Sequence, residues 1–321
     1  MPAQKPIVVV GSINTDLVAV TKRIPVVGET VIGSDFQIHP GGKGANQAVA
    51  IARLGYPVRL IGRLGNDTFS GELRTSLVEA GVDISGVSIS DGASGVAVIV
   101  VSERGENSIV LAPGANAKVT PADIDANIAI LRSAGIVLAQ LEIPLETVEH
   151  LAQLCALEGV PLILDPAPAM ELPPGIFKNI AWFTPNETEA AFYLGDRPAQ
   201  SNPPAPAEMA GTFLSKGCSG VVLKMGAHGT YLVSQGGKGS LVPAFAVDAI
   251  DTTAAGDAFN AGFATGLMLG KSPIESAAFA AAVAAISVTR SGAQPSMPSM
   301  TEVEQFLEDE SLQVAREVTP S

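Results

Sequence analysis

An α/β fold is predicted for this sequence: a mostly parallel central sheet covered by helices on both faces, a three-layer α/β/α sandwich. Three observations carry that expectation. Short, wholly apolar runs recur along the 321 residues, helical patterns separate several of them, and two stretches without helical period interrupt the rhythm. Those two stretches predict a second, small β-sheet projecting from the main body.

In chain order, Ile7 to Val10 is an apolar run closed by Gly11 and reads as a buried strand. Asp16 to Pro40 is rich in Val, Ile, Thr and Gly with polar interruptions, which suits short strands of the small sheet. Asn46 to Leu54 has a helical pattern, and Val58 to Ile61 is the next strand. Ser94 to Leu111 again lacks helical period and joins the small sheet, with Val96 to Val101 as its apolar centre. Strands follow at Ile136 to Leu141, Leu162 to Leu164, Trp182 to Thr184 and Val221 to Lys224. Helices are expected at Leu145 to Glu158, Glu187 to Leu194 and Ala258 to Gly270. Arg197 to Pro206 holds four prolines and reads as an exposed loop; no change in composition follows it, which argues against a domain linker. Charged and polar residues dominate after Leu307, so the last dozen residues are expected to fray. One domain therefore covers residues 1–308, with the small sheet drawn from about 16–40 and 94–111, and a tail at 309–321.

Composition removes several functional classes. A 47% hydrophobic content supports one large core, yet no run has the length and apolarity to cross a bilayer, and the N-terminus lacks the pattern of a signal peptide. The net charge of −13 argues against a nucleic-acid partner. Cys155 and Cys218 lie far apart among apolar or small neighbours, which favours buried free thiols and a reducing cytoplasm. His39, His150 and His228 show neither metal-ligand spacing nor a serine-triad context.

Asp251-Thr252-Thr253-Ala254-Ala255-Gly256-Asp257 carries the most chemistry. Ala254, Ala255 and Gly256 leave backbone N–H groups open to an anion, and the following helix adds the positive end of its dipole. Asp257 is then placed to take a proton from an attacking hydroxyl, the arrangement that phosphoryl transfer to an alcohol needs. The same residues also suit an ordinary capped helix start.

His39-Pro40-Gly41-Gly42-Lys43-Gly44-Ala45-Asn46 lacks the Ser or Thr of a Walker A loop and reads instead as a glycine turn passing close to a ligand. Lys43 and Asn46 there offer polar groups to hydroxyls, or Asn46 simply caps the helix. Asn14 and Asp16 follow the first strand and share one face, as polyol recognition or an Asx turn would require. Glu142 lies beyond another strand end. Asn186 and Glu189 form either a capping box or a carboxylate site that organises water around Mg²⁺. Lys224-Met225-Gly226-Ala227-His228-Gly229 is a turn along a nucleotide or an ordinary hairpin.

With these positions in hand, the chain resembles the ribokinase-like sugar kinase family from about residue 6 to residue 308. The resemblance rests on Gly-Gly-Lys-Gly-Ala-Asn-Gln-Ala-Val-Ala at Gly41 to Ala50 and Asp-Thr-Thr-Ala-Ala-Gly-Asp-Ala-Phe-Asn at Asp251 to Asn260. It implies an ATP-dependent kinase forming D-ribose 5-phosphate, with the small sheet as a lid that clasps its copy in a homodimer. It further implies that Asn14, Asp16, Gly42, Lys43, Asn46 and Glu142 hold ribose, and that Asp257 is the base beside an anion hole of Ala254 to Gly256. Asn186, Lys224, Gly226, Gly229 and Gly256 match nucleotide-binding positions, and Glu189 matches the glutamate linked to Mg²⁺ and phosphate. Asp251, Thr253, Ser287, Arg290, Gly292 and Ser296 match a monovalent-cation site, usually K⁺, built largely from backbone carbonyls. One position departs: Ala281 stands where the family usually carries Asn or His beside adenine, which puts nucleotide affinity in question. Rival readings are a family kinase acting on deoxyribose, fructose or a nucleoside, and a non-catalytic sugar-binding regulator; intact Asp257 argues against the last.

Overall fold

The structure is a computed structural model that describes residues 4–195 and 204–318. Its first half runs β1 (Ile7–Val10), β2 (Asn14–Thr21), β3 (Asp35–Gly41), α1 (Lys43–Arg53), β4 (Val58–Leu64), α2 (Ser70–Glu79), β5 (Asp83–Ile89), β6 (Gly95–Ser102) and β7 (Asn107–Ala112). Then come α3 (Pro121–Ala126), α4 (Ile128–Ser133), β8 (Ile136–Ala139), α5 (Leu145–Glu158), β9 (Leu162–Leu164), β10 (Trp182–Phe183), α6 (Glu187–Tyr193) and α7 (Pro206–Ser215). The chain closes with β11 (Gly220–Lys224), β12 (Thr230–Ser234), β13 (Ser240–Val242), α8 (Ala255–Met268), α9 (Pro273–Val288) and α10 (Met300–Val318). The Arg197 to Pro206 stretch lies largely outside the described residues, and its last proline opens α7.

Nine strands form the main sheet in the order β13-β12-β11-β10-β9-β8-β1-β4-β5. From β5 to β11 every pairing is parallel; β12 and β13 add an antiparallel edge. All four residues of β1 are buried, and they divide between two cores. Ile7 and Val9 face a cluster with Ala48 and Ile51 of α1, Phe263 of α8 and Val283 of α9. Val8 and Val10 face a second cluster with Leu151 of α5 and Phe213 of α7. Period-two alternation in a strand that is apolar throughout therefore yields three layers, as expected.

The small sheet has the order β3-β2-β6-β7, with β2 and β6 parallel and the outer pairs antiparallel. It exposes Phe36, Ile38, Val98 and Val110 on one face, an apolar band that the rest of the described chain leaves open, and Ile109 and Leu111 on the other.

Two helix starts differ from expectation, for one reason. α1 begins at Lys43, not Asn46, because Gly42 makes the turn at φ 88° and Gly44 lets the first helical residues lie on the end of β1. A Cβ on Gly44 would come within 2.6 Å of the Gly11 carbonyl carbon. α8 likewise begins at Ala255, not Ala258, because Ala254 itself makes the turn at φ 58°, the sole positive-φ non-glycine residue among those described. The tail also differs: α10 continues to Val318, since its residues are mostly good helix formers and Val303, Phe306 and Leu307 pack on the core.

Candidate active site

Several strand ends and the N-termini of two helices converge on one cleft, where an open parallel sheet places its ligands. Asp257, in the first turn of α8, is 3% exposed. Asn46 Nδ2 donates to its Oδ2 at 3.1 Å and Gln47 Nε2 to its Oδ1 at 3.0 Å, so α1 holds both carboxylate oxygens. Burial pushes the Asp257 carboxyl above its ordinary range; Lys43 draws it back and Asp165 adds to the rise. Burial alone would pull the Lys43 ammonium down, but Asp257, Asp165, Glu142 and Glu189 outweigh it and hold Lys43 above its usual value.

Glu142 accepts from Ser12 Oγ and, at 3.2 Å, from the Lys43 N–H. Asp16 lies close enough to both Glu142 and Asp257 that burial, then these two charges, push it up to about 7. Asn14 is buried and its Oδ1 accepts from Asn116 Nδ2 at 2.7 Å, while Asn116 Oδ1 takes the Ile13 N–H at 2.9 Å. The Gly42 turn packs directly on β2, where an added Cβ would meet the Asn14 nitrogen at 2.7 Å. The expected sugar residues are thus gathered around Asp257. A cavity of about 350 Å³ opens beside them, lined by Asn14, Asn116 and Glu142 with Leu111, Ile143 and Met170.

On the other side of Asp257, the Lys224 ammonium at the end of β11 pairs with Asp165 at 3.0 Å, and lies 3.5 Å from where a Cβ on Gly256 would stand. Asn186 bridges to Lys224 through the backbone and caps α6, with Glu189 completing the capping box. Glu189 also faces Lys224 and Lys43, and burial raises its carboxyl. Gly226 is exposed at the tip of the β11–β12 hairpin, while Gly229 is buried against the backbone of Val242 and Pro243. Ala281 of α9 is half-buried and packs on the core.

Asp251 joins two segments: its oxygens accept the N–H groups of Thr253 at 2.9 Å and Gly292 at 2.8 Å. Burial opposes ionisation there, but these hydrogen bonds hold the carboxyl below its usual range. Ser287 and Ser296 spend their hydroxyls on the carbonyls of Ala284 and Ala293, and the Arg290 side chain turns to Glu302 at 2.6 Å. Arg53, at the far end of α1, donates to the carbonyls of Pro295 and Met297 at 3.1 and 2.9 Å.

Sequence reading assigned no role to Ser12, Gln47, Asn116, Gln140 or Asp165, all of which touch the residues above. Asp165 carries a usable signal, since it follows directly on the carboxyl end of β9. The others act through partners a hundred or so residues away, which spacing does not reveal.

Comparison with known proteins bears on the family and the fold. The family model described as pfkB family carbohydrate kinase matches residues 4–300. A ribokinase of Haemophilus influenzae is 42% identical, over 95% of this chain and 99% of that protein. A deoxyribokinase of Salmonella typhi is 36% identical, over 94% of this chain and 98% of that protein. The solved structure of Arabidopsis thaliana ribokinase complexed with ribose and ATP superposes with a TM-score of 0.87 at 36% identity, covering 95% of this chain and 99% of that one. Both glycine turns, the buried carboxylate they flank and both sheets fall within the matched span, and the chain belongs to the pfkB family of carbohydrate kinases.

Proposed function

We propose that this protein transfers the γ-phosphoryl group of ATP to the 5-hydroxyl of D-ribose, giving D-ribose 5-phosphate and ADP. The observation that carries the reading is Asp257: a buried carboxylate fixed by two amides in the first turn of a helix whose entry residue is held at positive φ. Strain of that kind at a helix start persists where function needs it.

Asn14 and Asp16 bind sugar hydroxyls from the small sheet and Glu142 from beyond the end of β8, with Gly42, Lys43 and Asn46 on the α1 side. Asp257 takes the proton of the reacting hydroxyl, and its raised carboxyl is a better acceptor than an ordinary aspartate. The N–H group of Gly256 meets the transferred phosphoryl group at the positive end of α8, with Ala254 and Ala255 shaping its approach; the Ala255 N–H donates to the Thr252 carbonyl at 3.2 Å. Lys224 and Asn186 border the phosphate side, while Gly226 and Gly229 shape the hairpin beside the nucleotide.

Mg²⁺ bound to the nucleotide neutralises phosphate charge when present. Glu189, which faces Lys224 and Lys43, would meet an ion that arrives with ATP through water. K⁺ fits the Asp251 region, where no cationic side chain pairs with the carboxylate among the described residues. Asp251 and Thr253, with backbone carbonyls from Ser287, Arg290, Gly292 and Ser296, would hold that ion, which would steady the turn before Asp257. The open apolar band of the small sheet suits a homodimer through two lids. Cys155 and Cys218 are buried and free, with burial pushing both thiols up to about 12, which suits a reducing cytoplasm.

The deciding experiment is a phosphorylation assay over ribose, 2-deoxyribose, fructose and nucleosides, with and without K⁺. Ribose is expected to give the highest kcat/KM. The relative from Salmonella makes 2-deoxyribose the rival substrate, and its clear preference in the panel would overturn the ribose assignment.

A further inference from the structure

Gln47 is wholly buried, and its side-chain amide lies between two carboxylates. Nε2 stands 3.0 Å from Asp257 Oδ1 and 3.2 Å from Asp165 Oδ2. An amide nitrogen carries two hydrogens, so each carboxylate receives one. The orientation is fixed from behind, because Gln47 Oε1 accepts from Gln140 Nε2 at 2.7 Å. Turned over, the amide would aim its oxygen at two anions and its NH₂ at another NH₂. The remaining oxygen of Asp165 takes the Lys224 ammonium, which borders Gly256. A path of hydrogen bonds therefore runs from Lys224, which stands beside Gly256, through Asp165 and Gln47 to the carboxylate of Asp257 in the same turn of α8.

We infer that Gln47 is a positioning residue for phosphoryl transfer: it fixes Asp257 Oδ1 and ties that carboxylate to the Lys224–Asp165 pair, so that base and phosphate-side ammonium are set as one unit. The inference rests on reading Asp257 as the base. Three charged groups face Asp257: Lys43 of α1, Asp165 after β9 and Asp16 of β2. Glu142 after β8, Glu189 of α6 and Lys224 of β11 stand behind them. Against that mostly acidic surround, the amide hydrogen bonds of Asn46 and Gln47 favour the ionised base. Removing one takes away a bond that favours the ionised base and leaves its carboxylate free to turn.

The test is the pH dependence of kcat for Gln47→Met, Gln47→Glu and Gln140→Met, with sugar affinity measured by calorimetry and folding by thermal melting. Gln47→Met keeps length but donates nothing. Its kcat is expected to fall by about 10- to 100-fold, the range of one hydrogen bond to a charged group. The acid limb of its profile should move to higher pH, while sugar Kd stays within about fivefold. Gln47→Glu can donate only while protonated, so its activity should fall as pH rises, the reverse of wild type. Gln140→Met loosens the amide without removing it and should give a smaller shift in the same direction.

A merely structural role would lower the melting temperature and leave the acid limb in place. That outcome for Gln47→Met overturns the inference, as does a kcat within about threefold of wild type. Should Gln47→Met fail to fold, an unmoved acid limb in Gln140→Met overturns it instead. Asp257→Asn separates the two readings: normal turnover in that variant removes the base itself, whereas a dead Asp257→Asn beside an unaffected Gln47→Met removes only the positioning role.

Discussion

Replacing Asp257 by Asn exchanges one carboxylate oxygen for an NH₂ group inside a cage built for an acceptor. Asn46 and Gln47 each aim an amide hydrogen at one oxygen, so one orientation of the new amide sets NH₂ against Asn46 and the other sets it against Gln47. Either clash leaves buried donors facing each other, at a cost of about 1–3 kcal/mol. Lys43 loses the strongest of the carboxylates that hold its charge, while the burial penalty on a charged Asp257 disappears. These two changes oppose each other, so the fold is expected to survive. Chemistry has no such compensation. An amide does not accept the hydroxyl proton, and loss of a general base costs about 10²–10⁴-fold. With the lost charge added, kcat should fall by at least about 10³-fold, or about 4 kcal/mol of barrier. Turnover is followed by ADP release and ribose binding by calorimetry, where Kd should stay within about tenfold. A variant keeping more than about a tenth of wild-type kcat would show that Asp257 is not the base.

Three further outcomes follow from the same geometry. Ribose should exceed 2-deoxyribose in kcat/KM by about 5- to 150-fold, because a missing hydroxyl strands a buried partner at about 1–3 kcal/mol; equal values would refute polar recognition by Asn14, Asp16 and Glu142. Sugar KM should rise as pH falls below about 7, because Asp16 titrates there and a protonated carboxyl is a poorer acceptor; a flat KM from acid to alkaline pH would refute this. The same group has a folded pKa above its unfolded value of 3.8, so its contribution to stability is complete below 3.8 and lost as pH rises through about 7, a fall that saturating ribose should reduce. Asp251→Ala should lower activity and make the remainder insensitive to K⁺, and wild-type rates that are equal with and without K⁺ at constant ionic strength would refute the cation site.

How much of this was legible in the sequence depended on what each residue answers to. β1, β9 and α5 have the bounds that periodicity gives, because a strand buried on both faces or a long helix ending at Gly159 is marked by its own residues. α1 and α8 were read three residues short, because small residues look like turn when they are in fact the first helical turn pressed on a neighbour. Asp257, Lys43 and Glu142 could be named as site residues since each sits at a strand end or helix start. Gln47 could not. It looks like one more polar residue in a helix, and its role depends on Asp165, 118 positions away, and Asp257, 210 positions away.

α1 has the Gly42 turn and the grip on Asp257 at one end, and at the other Arg53, clamped to the carbonyls of Pro295 and Met297. Its length is therefore a fixed gauge. One residue added or removed between Gln47 and Arg53 would rotate one end about 100° against the other and shift it about 1.5 Å along the axis. Either the guanidinium would leave its loop or the amides would leave the carboxylate. Substitutions along this rod should be absorbed far more readily than a single-codon insertion or deletion, so an indel scan across residues 48–52 should show a sharp trough in activity where a substitution scan shows scattered tolerance.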